Sequence, residues 1–410
     1  MTRISPTLWH NDLLYQHFDA LSDMLATYED IWKLAAFQHR ILPWVDSYPE
    51  LASYLASLDS EGIDRLDASL EDTVEMISPY LPEAPSIYAM SQIGAWPHQI
   101  EDDKDSSLFY AVPALKVGQI QAFATSLPAI ERPLLDWCSG KGHLARVLSI
   151  LSEQPADCLE VQGHLCEDGA ALAERQNVAL DFHEVDVLQP KARDYLHHFH
   201  HAVALHACGR LHRRLLEHCT HQRTHTISLS PCCYFKGESP QYQTFSQHAA
   251  TSALSLTRDN IRLATREVVT ARPKRIKYRD HNNRWRMGFD LLQRDVRGID
   301  EYLTAPSVHR QMLKGSFENF CRHIAATKDL ALPDGINYDD YEKRGAIRYR
   351  ETFAFELIRS LFRRPLELWL VLDRAIFLHE QGYNVTLGTF CERHLTPRNL
   401  LLHAERNDSH

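Results

Sequence analysis

The stretch LLDWCSGKGHLARVL, residues 134–148, decides the fold. Pro133–Trp137 reads as a short buried strand ending near an acidic residue, and Leu144, Val147, Leu148 and Leu151 then recur at the spacing of one helix face. Between them Gly140-Lys141-Gly142 forms the turn, where only a backbone without Cβ lets a ligand approach the helix N-terminus closely. Gly140-x-Gly142-x-x-Ala145 also fits a loose dinucleotide fingerprint. Asp136 separates the two ligands: a carboxylate sits badly beside a pyrophosphate but suits a cationic α-amino group, such as that of S-adenosylmethionine.

Outward from this loop, short apolar runs alternate with amphipathic helical segments. Cys158–Val161, Phe182–Val185, Ala202–Leu205 and Ile227–Leu229 are the further strands, which together predict an α/β, doubly wound sheet. Glu160 follows Gly140 by 20 residues, at a strand end where an acidic side chain accepts from ribose hydroxyls. Asp186, with Val187 after it, is placed to accept from an adenine amino group. Beyond residue 255, Arg284–Leu292 reads as a strand at a sheet edge and Val308–Ala326 as a helix. Leu366–Gln381 is a longer helix closed by Gly382, and Leu400–His403 is a last strand returning to the sheet.

Residues 1–105 differ in character. Leu14, Phe18, Leu21 and Leu25 share a helix face that Trp32 and Ala36 extend towards Pro43, and Ala52, Leu55 and Leu58 mark a second helix. The polar run Glu101–Ser107 marks the boundary. The expected organisation is an acidic, all-helical region over 1–105, then the sheet domain over 106–410, with helical additions and a helical insertion at about 300–385.

Composition bounds the rest. With 44% hydrophobic and 24% charged residues, the 410-residue chain can bury a core, and its length suits more than one domain. No apolar run is long enough to span a bilayer and no signal core opens the sequence. Nine cysteines, an odd number without a C-x-x-C pair, point to a reducing cytoplasm. The net charge of −10 is uneven, since residues 1–105 carry nineteen acidic and five basic residues.

Cys138, His206 with Cys208, and Cys232, Cys233 and Tyr234 follow three strands whose carboxyl ends share one rim of a doubly wound sheet. Four readings stay open. His206 acts as a general base, because an imidazole titrates near working pH; Pro231–Tyr234 forms a rigid wall with Tyr234 stacked on the target; the thiols bind a metal or form a redox pair; or the cysteines are small packed residues. The cluster His197–His201 reads as an exposed loop, and no metal is assigned to the chain.

Arg258 to Arg286 holds ten basic and three acidic residues, interleaved with Tyr278 and Trp285. Cations neutralise phosphates and rings stack on unpaired bases, so Lys277, Arg279 and Trp285 are candidate RNA contacts. Arg398 and Asn399 add a cation and an amide nearer the substrate mouth. The acidic N-terminal region suits a basic protein partner instead.

DWCSGKGHLARVLS, ALHACGRL at 204–211, SLSPCCYFKG at 228–237 and LTPRNLLLHAER at 395–406 resemble a family of class I methyltransferases. It includes the methyltransferase-like proteins called ribosomal RNA adenine dimethylase domain-containing, the glutathione S-transferase C-terminal domain-containing protein and, more distantly, tRNA 2′-O-methyltransferases. The resemblance covers roughly residues 110–410. The tRNA enzymes carry histidines after their paired cysteines, where this chain has Tyr234 and Phe235. It implies a Rossmann-like class I sheet, S-adenosylmethionine as cofactor and in-line methyl transfer to a macromolecule, most simply RNA. Asp136, Cys138, Ser139, Gly140, Gly142, Glu160, Asp186, Val187 and His206 then hold the donor. His206, Cys208, Cys232, Cys233 and Tyr234 line the transfer site. A protein methyltransferase, a sheet that binds the donor without catalysis, and an NAD-type oxidoreductase, which Asp136 disfavours, are the competing readings.

Overall fold

A computed structural model describes residues 6–98, 107–266 and 273–407. Most of the boundary run Glu101–Ser107, and residues 267–272 of the basic strip, lie outside them. The chain divides into two compact units, each discontinuous: residues 1–26, 90–269 and 363–410, and residues 27–89 and 270–362. This replaces the expected division at 105/106. Residues near the N-terminus supply a strand to the sheet, and the helix Arg363–Glu380, expected within the insertion, belongs to the sheet unit.

Among the described residues the first unit carries eight strands: β1 (Trp9–His10), β2 (Leu134–Trp137), β3 (Ala156–Glu160), β4 (Leu180–Glu184), β5 (His201–Cys208), β6 (Thr226–Cys232), β7 (Tyr383–Thr389) and β8 (Leu400–Arg406). Their order is β1-β7-β8-β6-β5-β2-β3-β4. β2 to β6 are mutually parallel, whereas β8 runs antiparallel to both β6 and β7. All four residues of β2 are buried, as a central strand covered on both faces requires. Leu134, Val147, Leu148, Phe123, Phe390 and Leu401 join one core around it. The five parallel strands and β8 fall where the sequence predicts them. β7 was not foreseen, and it continues directly from Gly382 (φ +85), the left-handed residue that ends the helix Arg363–Glu380.

The second unit is helical. Arg284–Leu292, expected as a strand, lies inside the helix Pro273–Arg297, because its apolar residues Trp285, Phe289 and Leu292 recur at helical spacing on one buried face. Phe317–Thr327 confirms the later part of the helix expected over Val308–Ala326. In the first unit the helix Asp12–Thr27 buries Leu14, Phe18, Leu21 and Leu25, but ends before Trp32; in the second, Pro49–Ser57 is the other expected N-terminal helix. Among the described residues no helix is long and apolar enough to cross a membrane.

Helices Pro273–Arg297 and Tyr338–Ser360 meet at a glycine pair. A Cβ at Gly345 would lie 2.4 Å from the Gly288 nitrogen and 2.5 Å from its Cα. Gly→Ala in an open helix stabilises by about 1 kcal/mol. Here the backbone contact reverses the sign: Gly345→Ala is expected to destabilise by about 1–3 kcal/mol through overpacking, read as a lower urea midpoint at unchanged slope.

Candidate functional site

The loop after β2 is built from left-handed backbone at Cys138 (φ +61), Gly140 (φ +59) and Gly142 (φ +63). Its two glycines differ in purpose. A Cβ at Gly142 would come 2.6 Å from the Phe182 ring, so that position is set by packing, whereas one at Gly140 would meet none of the described residues within 4 Å. The Gly140 edge is open and borders a cavity of about 490 Å³ that Lys116, Lys141, His143 and Leu165 also line.

Glu160 holds this loop. One carboxylate oxygen accepts from Gly140 N at 3.0 Å, and the other accepts from Val161 N and Gln162 N, each at 3.0 Å. Asp136 is 3% exposed and accepts from Ala145 N at 3.3 Å. Burial raises its pKa to about 7 despite that bond, with Glu160 adding to the rise and Lys116 opposing it. Asp186 accepts from Leu188 N at 3.0 Å and Gln189 Nε2 at 3.1 Å, so it also caps its own turn, and Val187 is buried beside it. Ser139 closes the loop by donating its N–H to Leu159 O at 3.0 Å.

β5 carries an irregularity between Leu205 and Ala207, where His206 takes a left-handed φ of +64. A non-glycine residue there costs about 1–3 kcal/mol, and such strain collects at functional sites. Gln119 fixes the ring's tautomer. Its Nε2 donates to Leu395 O at 3.0 Å, which leaves Oε1, 3.2 Å from His206 Nε2, as the acceptor. The His206 proton therefore sits on Nε2, and Nδ1 is a buried acceptor with no partner among the described residues. Burial first, then the charge of Arg398, pulls the His206 pKa down to about 4. That corrects the expectation of an imidazole titrating near working pH: His206 is neutral there.

Cys208 lies opposite Cys232 in the β5–β6 register, with their sulfurs 3.3 Å apart, and Cys232 also donates to His206 O at 3.1 Å. Cys233, again left-handed (φ +46), has its thiol pKa lowered by hydrogen bonds from Cys208 and Cys232, with Lys236 and Arg398 adding to the effect. Burial pushes the Cys138 thiol up instead. Tyr234 does not stack on a target. It is wholly buried, its hydroxyl donating to Glu367 at 3.3 Å and Pro231 O at 3.4 Å, and so anchors the wall from behind.

Two other substrate candidates change. Asn399 is buried, accepting from Arg364 at 3.0 Å and donating to Cys391 O at 2.6 Å, and so shapes the chain instead of facing a mouth. Trp285 packs in the second unit's core and donates to Glu342 at 2.7 Å, so it offers no stacking face. The basic strip itself is divided between the two units. Lys277 and Arg279 do remain exposed, the latter paired with Asp280 at 3.1 Å. Arg398 is retained at the site, donating to Thr265 O. Of the histidine cluster, His200 and His201 are buried, His201 bonding Ser228 at 2.8 Å.

The sequence reading missed Lys116 and Gln119, on the helix Ala114–Ser126, and Phe235, whose ring lies 5.0 Å from the Arg262 guanidinium. Nothing in the residue pattern of that helix singles them out; only the structure shows how closely it packs, a Cβ at Gly118 lying 2.9 Å from Leu395 Cδ1.

Residues 117–238 match the family described as a methyltransferase domain. No curated protein matches the chain. Among solved structures it is similar to coclaurine N-methyltransferase bound to N-methylheliamine and SAH, at 10% identity and a TM-score of 0.24 over 52% of this chain and 63% of that one. It is also similar to an O-methyltransferase family protein from Burkholderia thailandensis, at 11% identity and a TM-score of 0.31 over 96% and 84%. The chain thus spans less than two thirds of the coclaurine enzyme, and neither likeness transfers a substrate.

Residues 117–238, which carry the five parallel strands, thus match a methyltransferase domain, and the sheet is of the Rossmann-like class I type, whose methyl donor is S-adenosylmethionine. The residues present fit that donor. The open side of Gly140, a buried carboxylate for the ammonium group and an unpartnered acceptor at His206 all lie at the carboxyl ends of the parallel strands.

An ammonium ligand binds the ionised form of Asp136, which is lost as pH falls through about 7. Titration with S-adenosylhomocysteine is expected to weaken by about tenfold per unit below that pH, with proton release on binding. Asp136→Asn should bind weakly and without this slope; an unchanged slope in the variant would reject the assignment.

Proposed function

We propose that the chain transfers the methyl group of S-adenosylmethionine to RNA at the rim formed by the β2 loop, His206 and Pro231–Tyr234. The donor, when bound, supplies a sulfonium whose methyl is already activated, so the protein's task is orientation and exclusion of water. Asp136 holds the ammonium end, and the Gly140 backbone leaves room for the ligand. Glu160 and Asp186 lie at the strand ends expected to face the ribose and adenine.

The observation that carries the acceptor side is the buried, unpartnered ring acceptor at His206 Nδ1. The neighbouring wall carbonyls are already engaged: Pro231 O by Tyr234, Cys232 O by Gly209 N at 2.9 Å, and Cys233 O by Lys236 N at 2.9 Å. One acceptor orients a nucleophile with one proton to release. As the new bond to carbon forms, that proton passes to Nδ1 and on to solvent, while the sulfur keeps the bonding pair and leaves as the neutral thioether.

RNA is favoured because the rim is cationic in a chain whose net charge is −10. Lys116, Lys236, Arg262 and Arg398 surround it, and the half-exposed Phe235 offers a ring for base stacking.

Transfer of labelled methyl from the donor to total RNA and to total protein tests this directly. RNA is expected to be labelled. His206→Ala should retain S-adenosylhomocysteine binding while lowering turnover about 100-fold or more. Labelled protein with unlabelled RNA would replace the substrate class, and donor binding without any labelling would leave a binding module.

A further inference from the structure

Along a regular strand, consecutive side chains face opposite sides of the sheet. The left-handed backbone at Cys233 breaks that alternation just past the end of β6, so two adjacent cysteines present their sulfurs together. The parallel register sets Cys208, at the end of β5, directly opposite Cys232. The three sulfurs all lie within 4.8 Å of one another, and none is in a disulfide.

We propose that Cys208, Cys232 and Cys233 bind one thiophilic divalent cation, zinc, with a fourth coordination position left open at the methyl-transfer rim.

Sulfur-only donors select soft or borderline metals over magnesium or calcium. Zinc bound tetrahedrally at about 2.3 Å from each sulfur places the sulfurs about 3.8 Å apart. The observed spacing brackets that value, from 3.3 Å between Cys208 and Cys232 to an upper bound of 4.8 Å for the trio. Binding therefore needs rotamer adjustments of a few tenths of an ångström up to about 1 Å, not backbone movement. Three thiolates around a divalent cation carry one net negative charge, and Lys236 Nζ, 4.0 Å from Cys208 Sγ, is placed to offset it.

Among the described residues no fourth His, Cys, Asp or Glu joins the group. Structural zinc sites close with four protein ligands, whereas sites that act on substrate keep three and an open position. That the open position would seat the acceptor rests on the methyl-transfer reading above; metal binding itself does not.

The full chain, purified under reducing conditions, is titrated with zinc against a chromophoric chelator and separately with cobalt(II). One equivalent of zinc per chain is expected, as is a cobalt spectrum with sulfur-to-metal charge transfer and intense tetrahedral bands. Cys233→Ser should weaken zinc at least tenfold, and Cys391→Ser, outside the cluster, should leave it unchanged. The cobalt spectrum of the unaltered protein decides the case even where a cysteine variant folds poorly. Zinc below a tenth of an equivalent, cobalt without sulfur charge transfer, or a Cys208–Cys232 disulfide by mass spectrometry would overturn the site. None of these readouts uses methyl donor or acceptor, so failure here leaves methyl transfer standing, and absence of transfer leaves the metal result intact.

Discussion

One carboxylate shapes the donor loop. Glu160 accepts from Gly140 on one oxygen and from Val161 and Gln162 on the other, so the end of β3 is tied both to the β2 turn and to the start of its own helix. Bonds from N–H groups to an ionised acceptor are among the stronger neutral–charged contacts a protein makes. They hold a turn with left-handed residues at 138, 140 and 142. The open Gly140 edge and the buried placement of Asp136 both depend on that turn. The residue read first as a ribose ligand is thus equally the clasp of the loop.

The glycine loop was legible because it needs rare residues in a fixed order, and the parallel strands because a doubly covered strand has nowhere to put polar groups. Asp136 stood out for the same reason. Trp285 misled because a basic helix with one aromatic face has the composition of a nucleic-acid surface; only the second unit's packing reveals that the face is inward. Tyr234 and Asn399 misled because motif position says nothing of direction, and each turns its polar atoms onto buried Glu367 or Arg364. Gln119 was invisible. An amide on a helix of unremarkable pattern becomes meaningful only when tertiary folding sets it against His206.

Charge shows the same separation of levels. The whole chain is acidic, yet the side chains nearest His206 and Cys233 include Arg398, Lys116 and Lys236. A partner meets the local field, not the sum. The strip that looks continuous from Arg258 to Arg286 is cut by the unit boundary, and Arg286 spends its guanidinium on the carbonyls of Ala305 and Pro306.

β8 lies between β6 and β7 and is the last of the eight strands along the chain. During synthesis the parallel core from β2 to β6 emerges about 170 residues earlier, a delay on the order of ten to thirty seconds at ribosomal rates. Until β8 arrives, the buried edge of β6, TISLSPC, has no partner on that side, and β7 can pair with the two-residue β1 but lacks its longer neighbour. An open edge of that kind is a template for pairing with another chain. The topology that completes the rim last therefore makes nascent protein the stage most in need of a chaperone.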